Sequence, residues 1–392
     1  MARVAVLGCG LVGSVLAADL AGSRQLRVSV FDVRPDAMAR APRGVRALKS
    51  RCAFHTADLS DVATIRRIAA ASDLVVGALP SRFGWQTLRT VVETGTNYVD
   101  ISFLPEDFLE LNRLAKRRGL LAVCDCGVAP GLSNMLAADA ARRLRPCREI
   151  DIMVGGLPVE RRWPFNYKAP FSPHDVLEEY VRPSRVVEGG RVVIREALSG
   201  AELVELPGVG TVEAFFTDGL RSLAQTLRVP TMRERTLRYP GHAELMRVLR
   251  QIGLFSQEPV SVGGALVEPR ALTASLLFPQ WKYEEDERDL TVMRVAAEGT
   301  LRRRSVRIVW DLLDFHDRRS GFPSMSRTTA FPAASLARQI LAGKLNGAGV
   351  LAPEQAIQQP GVLSRVLRDL ADRGVRLVPT IHRADRTKQT PN

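Results

Sequence analysis

The strongest constraint on this chain lies in its first three dozen residues. Arg3-Val4-Ala5-Val6-Leu7 is a short apolar run suited to a buried strand, and it ends in Gly8-Cys9-Gly10-Leu11-Val12-Gly13. Ser14–Leu20 then reads as a helix start, and a second apolar run, Leu26–Phe31, leads to Asp32. Strand, glycine turn, helix, strand and acidic residue in that order form the dinucleotide-binding fingerprint of doubly wound α/β folds. Gly8 permits the tight turn, Gly10 lets the backbone approach a pyrophosphate, and Gly13 lets helix and strand pack closely. Leu11 and Val12 open the helix, whose N-terminus offers free N–H groups and a partial positive charge to phosphates. Asp32 is placed to accept hydrogen bonds from the adenosine ribose hydroxyls. A carboxylate there repels a 2′-phosphate, so NAD is expected ahead of NADP. Val33 and Arg34 extend the same edge; Arg34 either softens that preference, stacks on adenine or points to solvent.

The rhythm continues. Cys52–Thr56 is a third candidate strand, followed by Asp58 and Leu59. Asp58 is placed to meet the adenine amino group or to cap the helix over 61–71, since Asp is a favoured N-cap. A fourth strand from Asp73 runs into Ala78-Leu79-Pro80-Ser81, at the strand edge where the nicotinamide ribose would lie. Helix 85–94, strand 98–102, helix 106–118 and strand 120–126 complete the alternation. Asp100 and Ser102 are expected at the crevice, Asp100 orienting carboxamide or substrate. The pattern predicts a parallel sheet with helices on both faces. Gly127-Val128-Ala129-Pro130-Gly131 breaks it just before a helix over 135–144. This loop either exposes backbone N–H groups where a nicotinamide would sit or serves as a domain hinge.

At 392 residues the protein exceeds one ordinary core, so two domains are expected. Its apolar runs are too short to span a membrane. Arg3 and the apolar stretch to Leu16-Ala17-Ala18 mimic a secretion signal, but three glycines interrupt it and Asp19 follows, which favours the cytoplasm. The net charge of +13 is mostly arginine scattered through the sequence, in short clusters without interleaved aromatics. That favours a solvated surface over a nucleic-acid footprint. Five cysteines, an odd number, argue against a disulfide framework, and Cys124-x-Cys126 lacks zinc-ligand spacing, so no metal is expected. Cys126 is expected either buried or lining the site.

Ala78-Leu79-Pro80-Ser81, Tyr98-Val99-Asp100-Ile101-Ser102 and Gly127-Val128-Ala129-Pro130-Gly131 together resemble the saccharopine dehydrogenase superfamily. Downstream, Val154-Gly155-Gly156-Leu157-Pro158, Val212-Glu213-Ala214-Phe215, Thr236-Leu237-Arg238-Tyr239-Pro240-Gly241-His242, Arg327-Thr328-Thr329-Ala330 and Gly349-Val350-Leu351-Ala352-Pro353-Glu354 resemble the L-lysine 6-dehydrogenases within it. The resemblance implies a Rossmann-type doubly wound parallel sheet plus a second α+β domain with an open mixed sheet. It also implies a homo-oligomer, dimer or larger, acting on an amino acid. The expected parts are a dinucleotide-binding domain over 1–126, a substrate and oligomerisation domain over 127–326, a return over 327–382 and a polar tail over 383–392. Strands over 149–154, 233–238, 290–297, 305–310 and 375–379 and helices over 328–342 and 361–373 suit this plan.

Oxidising an amine requires its carbon roughly 3–3.5 Å from the hydride acceptor. It also needs a group to remove the ammonium proton and a cation for any substrate carboxylate. Lys168, in a lysine-poor sequence, is a candidate desolvated base, and His242, after the Tyr239-Pro240-Gly241 motif, is a candidate acid–base group. Asp218 suits a substrate ammonium or a helix cap. Arg238 suits a carboxylate, with Val128, Tyr167, Thr217 and Tyr239 as further substrate contacts. The expected activity is NAD-dependent oxidative deamination of the ε-amine of lysine or a close analogue. Its rivals are a saccharopine- or carboxynorspermidine-type reductase forming a secondary amine, and a non-catalytic NAD-binding protein.

Overall fold

The computed structural model describes residues 1–46, 51–285 and 287–383, so the polar tail expected beyond Arg383 lies outside the described residues. Strands β1 (Ala2–Leu7), β2 (Leu26–Asp32), β3 (Cys52–Thr56), β4 (Leu74–Gly77), β5 (Asn97–Asp100) and β6 (Leu121–Val123) form one parallel sheet. Their order is β3-β2-β1-β4-β5-β6, reversing between β1 and β4. β1 and β4 are continuous apolar runs because helices cover both faces of the sheet. Helix α1 (Leu11–Ala21) follows the glycine turn. In such sheets the ligand crevice opens at the C-terminal strand ends, where the order reverses.

A seventh strand, Gly349–Leu351, adds in parallel beside β6. Three residues carry too little periodicity to announce a strand. The second sheet is nine-stranded and mixed, and its long path runs Glu202–Leu206, Gly210–Phe216, Thr231–Arg238, Cys147–Pro158, Asp289–Leu301, Arg304–Phe315 and Pro379–Arg383. Thr231–Arg238 pairs in parallel with Cys147–Pro158, which pairs antiparallel with Asp289–Leu301.

Helix Ser324–Leu341 packs on α1 and touches strands of both sheets. Almost its whole circumference is buried, including Met325, Phe331 and Leu336, as expected of a helix wedged inside a core. Val4, Leu16, Ile150, Met293 and Phe331 belong to one contiguous apolar cluster, so the two sheets share a core.

Two local expectations shift. The helix over 106–118 is a 3₁₀ turn, Phe108–Leu111, followed by Asn112–Arg118, because Asp107 accepts from the Leu109 N–H and starts a tighter turn. The last strand is Pro379–Arg383 rather than 375–379, since Val375 and Leu377 turn into the core. Among the described residues no helix is long and apolar enough to cross a membrane.

Candidate active site

A cleft of about 520 Å³ runs from the glycine turn across the ends of β1 and β4 to strand Thr231–Arg238 of the second sheet. Its near end is a cradle built by absent side chains. Gly8 has φ +101°, and a Cβ there would lie 2.4 Å from the Ala78 carbonyl oxygen; one on Gly13 would lie 2.2 Å from the Gly8 oxygen. A Cβ on Gly10 would meet nothing within 4 Å, so the space before it is open. The first intrahelical bond of α1 runs from the Ser14 N–H to the Gly10 oxygen, leaving the N–H groups of Leu11, Val12 and Gly13 without intrahelical acceptors. Together, the open cradle and the helix end fit a dinucleotide's pyrophosphate. Ala78, Leu79, Pro80 and Ser102 continue the wall. When bound, a nicotinamide dinucleotide supplies a hydride acceptor to the cleft.

Asp32 fastens this end. Its Oδ2 accepts the Cys9 N–H at 2.7 Å, and its Oδ1 accepts the Arg34 N–H at 2.9 Å and lies 3.3 Å from Arg34 Nε. Asp32 is buried, while Cys9 and Arg34 stand at the wall. Val128 also lines the cleft. Its loop offers fewer donors than its position suggests. The Leu132 N–H donates to the Gly127 oxygen and the Ser133 N–H to the Val128 oxygen, while Asn134 Oδ1 accepts from the Gly131 N–H. The N–H groups of Gly131, Leu132 and Ser133 are thus consumed by the loop itself.

The far end is lined by Asp175, Glu179, Thr217, Glu234, Thr236 and Arg238. Glu234, Thr236 and Arg238 alternate along one strand and so share a face. Glu234 Oε2 accepts the Thr217 hydroxyl at 2.6 Å and the Gly219 N–H at 3.0 Å. Burial pushes the Glu234 carboxyl up to about 8. Arg238 donates to Glu179 at 2.7 Å and to the Leu237 oxygen, and stacks on Tyr167 with 4.5 Å to the ring centroid. Asp175 accepts the Ser81 hydroxyl at 2.5 Å, bridging the two sheets' elements across the cleft. Sequence reasoning alone missed Glu234, Glu179 and Asp175. The alternation back from Arg238 was the available signal for Glu234.

Several expected site residues lie elsewhere. Lys168 donates to the Lys282 oxygen at 2.8 Å and pairs with Glu287 at 3.1 Å, beside a separate small pocket, because Phe165 and Tyr167 before it pack against Trp281 in the second domain's aromatic core. His242 is fully buried: its Nδ1 lies 3.0 Å from the Phe165 carbonyl and its Nε2 2.8 Å from the Tyr180 hydroxyl. A carbonyl only accepts, so Nδ1 carries the proton and Nε2 accepts from Tyr180. Burial, assisted by Arg238, pushes His242 down to about 3, so the ring is neutral and remote from the cleft. Asp218 is gripped by Arg185 through two bonds of 2.8 and 2.7 Å and neither caps a helix nor faces the cleft. Asp100 is fully buried beneath the crevice rather than pointing into it, bonded to the Tyr98 and Ser102 hydroxyls; burial raises it to about 7.

Tyr167 lies under Arg238, and the Tyr239 hydroxyl donates to the Pro158 oxygen; neither lines the cleft. Ser81 is spent on Asp175. Val33 is exposed, Leu59 is core, and Asp58 is an exposed turn residue accepting from Ser60, the helix cap being Asp61. Cys126 is buried and away from the cleft wall.

Comparison with known proteins matches residues 4–123 to the saccharopine dehydrogenase NADP binding domain and residues 127–375 to the saccharopine dehydrogenase C-terminal domain. Saccharopine dehydrogenase (NADP(+), L-glutamate-forming) of Saccharomyces cerevisiae is 22% identical, over 95% of this chain and 97% of the relative. The mitochondrial alpha-aminoadipic semialdehyde synthase of Bos taurus is 22% identical over 73% of this chain and 38% of the relative. The solved structure of the apo yeast saccharopine dehydrogenase superposes with a TM-score of 0.77 at 19% identity, covering 97% of this chain and all of that one. With both sheets spanned by the two domain matches, the chain belongs to the saccharopine dehydrogenase family of oxidoreductases.

Proposed function

We propose that the protein is a nicotinamide-dependent amine dehydrogenase, oxidising the terminal C–N bond of L-lysine or a close diamine-like analogue to the aldehyde. One observation carries this reading. The far end of the cleft presents Asp175, Glu179 and Glu234, and its Arg238 is already paired with Glu179. Such an end suits a cationic amine and opposes a substrate bearing several carboxylates. Arg238 and Thr217 orient the far end, and the loop at Val128 closes the cleft near the reacting carbon. NAD is the proposed cofactor, on the expectation that an acid ending β2, here Asp32, disfavours a 2′-phosphate. The residues proposed to cradle it are Gly8, Gly10, Leu11, Val12, Gly13 and Ala78–Pro80, with Arg34 and Ser102 at the rim.

The names of the relatives favour a second reading, an NADP-dependent enzyme handling a secondary amine with Arg34 receiving the 2′-phosphate. Following absorbance at 340 nm with NAD or NADP, against lysine, diamines and saccharopine, separates the two. Reduction of NAD with a primary amine is expected; turnover of saccharopine alone would sink the proposal. A homo-oligomer is proposed as well. Leu245 and Val248 on one helix, Ile252 just past its end, and Leu272 and Leu276 on another helix are exposed on the second domain, a composition that suits burial against another copy. Light scattering at micromolar concentration tests this.

A further inference from the structure

We infer that Glu234 accepts the substrate's ammonium proton and, with Glu179 and Asp175, selects an alkylammonium over an anionic substrate. This inference rests on the amine-dehydrogenase reading above and assigns its proton path and selectivity to residues. Glu234 is 3% exposed yet lines the cleft. Its Oε2 is anchored by Thr217 and Gly219, while among the described residues no hydrogen bond reaches Oε1. A buried carboxylate with one tethered oxygen and one unpartnered oxygen at a cleft wall is a fixed acceptor. Its close seating is built in, since a Cβ on Gly219 would lie 2.2 Å from Glu234 Cδ, so only glycine admits it.

The surrounding charges point the same way. Glu179 and Asp218 face Glu234 and, after burial, hold its proton affinity up; the Thr217 hydroxyl and Gly219 N–H oppose them. The resulting value of about 8 suits a group that takes and returns a proton near neutrality. Arg238 lines this end of the cleft, and its guanidinium is committed to Glu179 and the Leu237 oxygen. A carboxylate entering here would meet the charges of Asp175 and Glu179, and the Arg238 guanidinium is already held by Glu179.

The step balances. An N–H bond of R–CH2–NH3⁺ breaks and its proton goes to Glu234 Oε1, freeing the nitrogen lone pair. That lone pair forms C=N as the C–H electron pair and hydrogen leave to the oxidised nicotinamide dinucleotide. Water then adds to the carbon, the C–N bond breaks, and ammonium and aldehyde leave, while Glu234 returns its proton to solvent.

The test compares wild type with Glu234→Gln, which keeps an acceptor for Thr217 and Gly219. Pentane-1,5-diamine and L-lysine serve as cationic probes and glutarate as the anionic one. Glu234→Gln is expected to lose about 100-fold or more in kcat/KM and to lose the acid-side limb of the pH profile, with dinucleotide affinity within about two-fold. Without dinucleotide, pentane-1,5-diamine is expected to raise the melting temperature of wild type but not of Glu234→Gln, and glutarate of neither. An active Glu234→Gln with an unchanged pH limb overturns the inference while leaving the amine-dehydrogenase reading intact. Glutarate stabilising wild type more than the diamine also overturns it. If wild type reduces no dinucleotide with any amine, both readings fall together. Should Glu234→Gln melt far below wild type, Glu234→Asp carries the comparison: a retained but shifted pH limb supports the inference, and an unmoved one overturns it.

Discussion

Arg238, Tyr180 and His242 form a relay that ends at the Phe165 carbonyl: Arg238 Nε lies 3.4 Å from the Tyr180 hydroxyl, which donates to His242. Each group fixes the next, so the histidine positions the cleft's guanidinium without touching the cleft. Because its folded-state value lies near 3, below the ordinary 6.5, the unfolded protein takes up the proton first as pH falls. His242 therefore contributes stability that is fully present above about pH 6.5 and lost progressively toward pH 3. His242→Gln, which retains an acceptor for Tyr180, should flatten the acid side of the melting-temperature profile while leaving activity with a recognisable pH optimum. Glu234 has the opposite sign. Its raised value makes its contribution full below about 4.5 and lost as pH rises through about 8, so Glu234→Gln should gain on wild type in melting temperature above pH 8. At Asp32, replacement by Ser should weaken NADH by roughly 10-fold and raise the affinity for NADPH relative to NADH, read by fluorescence titration, since hydrogen bonds to a charged acceptor are worth about 1.5–3 kcal/mol.

At the level of elements, the strand Thr231–Arg238 shows how far a pattern can be followed. Its existence was legible from the run ending in Arg238, and strand alternation then puts Thr236 and Glu234 on the same face. Which face meets a cleft depends on the sheet it joins, and nothing local to the strand says so. The loops are harder still. Arg221 and Asp125, both at positive φ, form a buried ion pair at 3.1 Å between the segment after β6 and the segment after Gly210–Phe216. Arg221 also donates to the Leu104 oxygen. No local spacing announces a pair separated by that much sequence. Arg221→Ala should cost about 3–5 kcal/mol by stranding a buried carboxylate, visible as a lower denaturant midpoint. Gly219→Ala should lower kcat/KM, as Glu234 is pushed from its seat, with dinucleotide affinity preserved.

For the whole molecule, the return of the polypeptide to the first sheet matters most. Helix Ser324–Leu341 fills the space between the sheets and Gly349–Leu351 closes the edge of β6. Truncation before Gly349 should leave β6 as a bare parallel edge and yield aggregated protein in sedimentation or light-scattering assays, although every fingerprint residue would remain. The amino-terminal half was readable because its signals are local: glycines that a turn and a close approach require, a strand-end acid, and apolar runs at strand length. The family resemblance carried the second sheet and the return in outline. What the sequence could not decide is which charged groups remain available. Lys168, Asp218 and His242 stand in suggestive motifs, yet Glu287, Arg185, and Tyr180 with Phe165 satisfy them. Glu234 looks like one more charge on a strand, and it acquires an unpartnered oxygen at the cleft. Strand and turn signals act over a few residues and are written in order along the polypeptide; the pairing of buried charges joins residues far apart in sequence, so only the folded arrangement determines it.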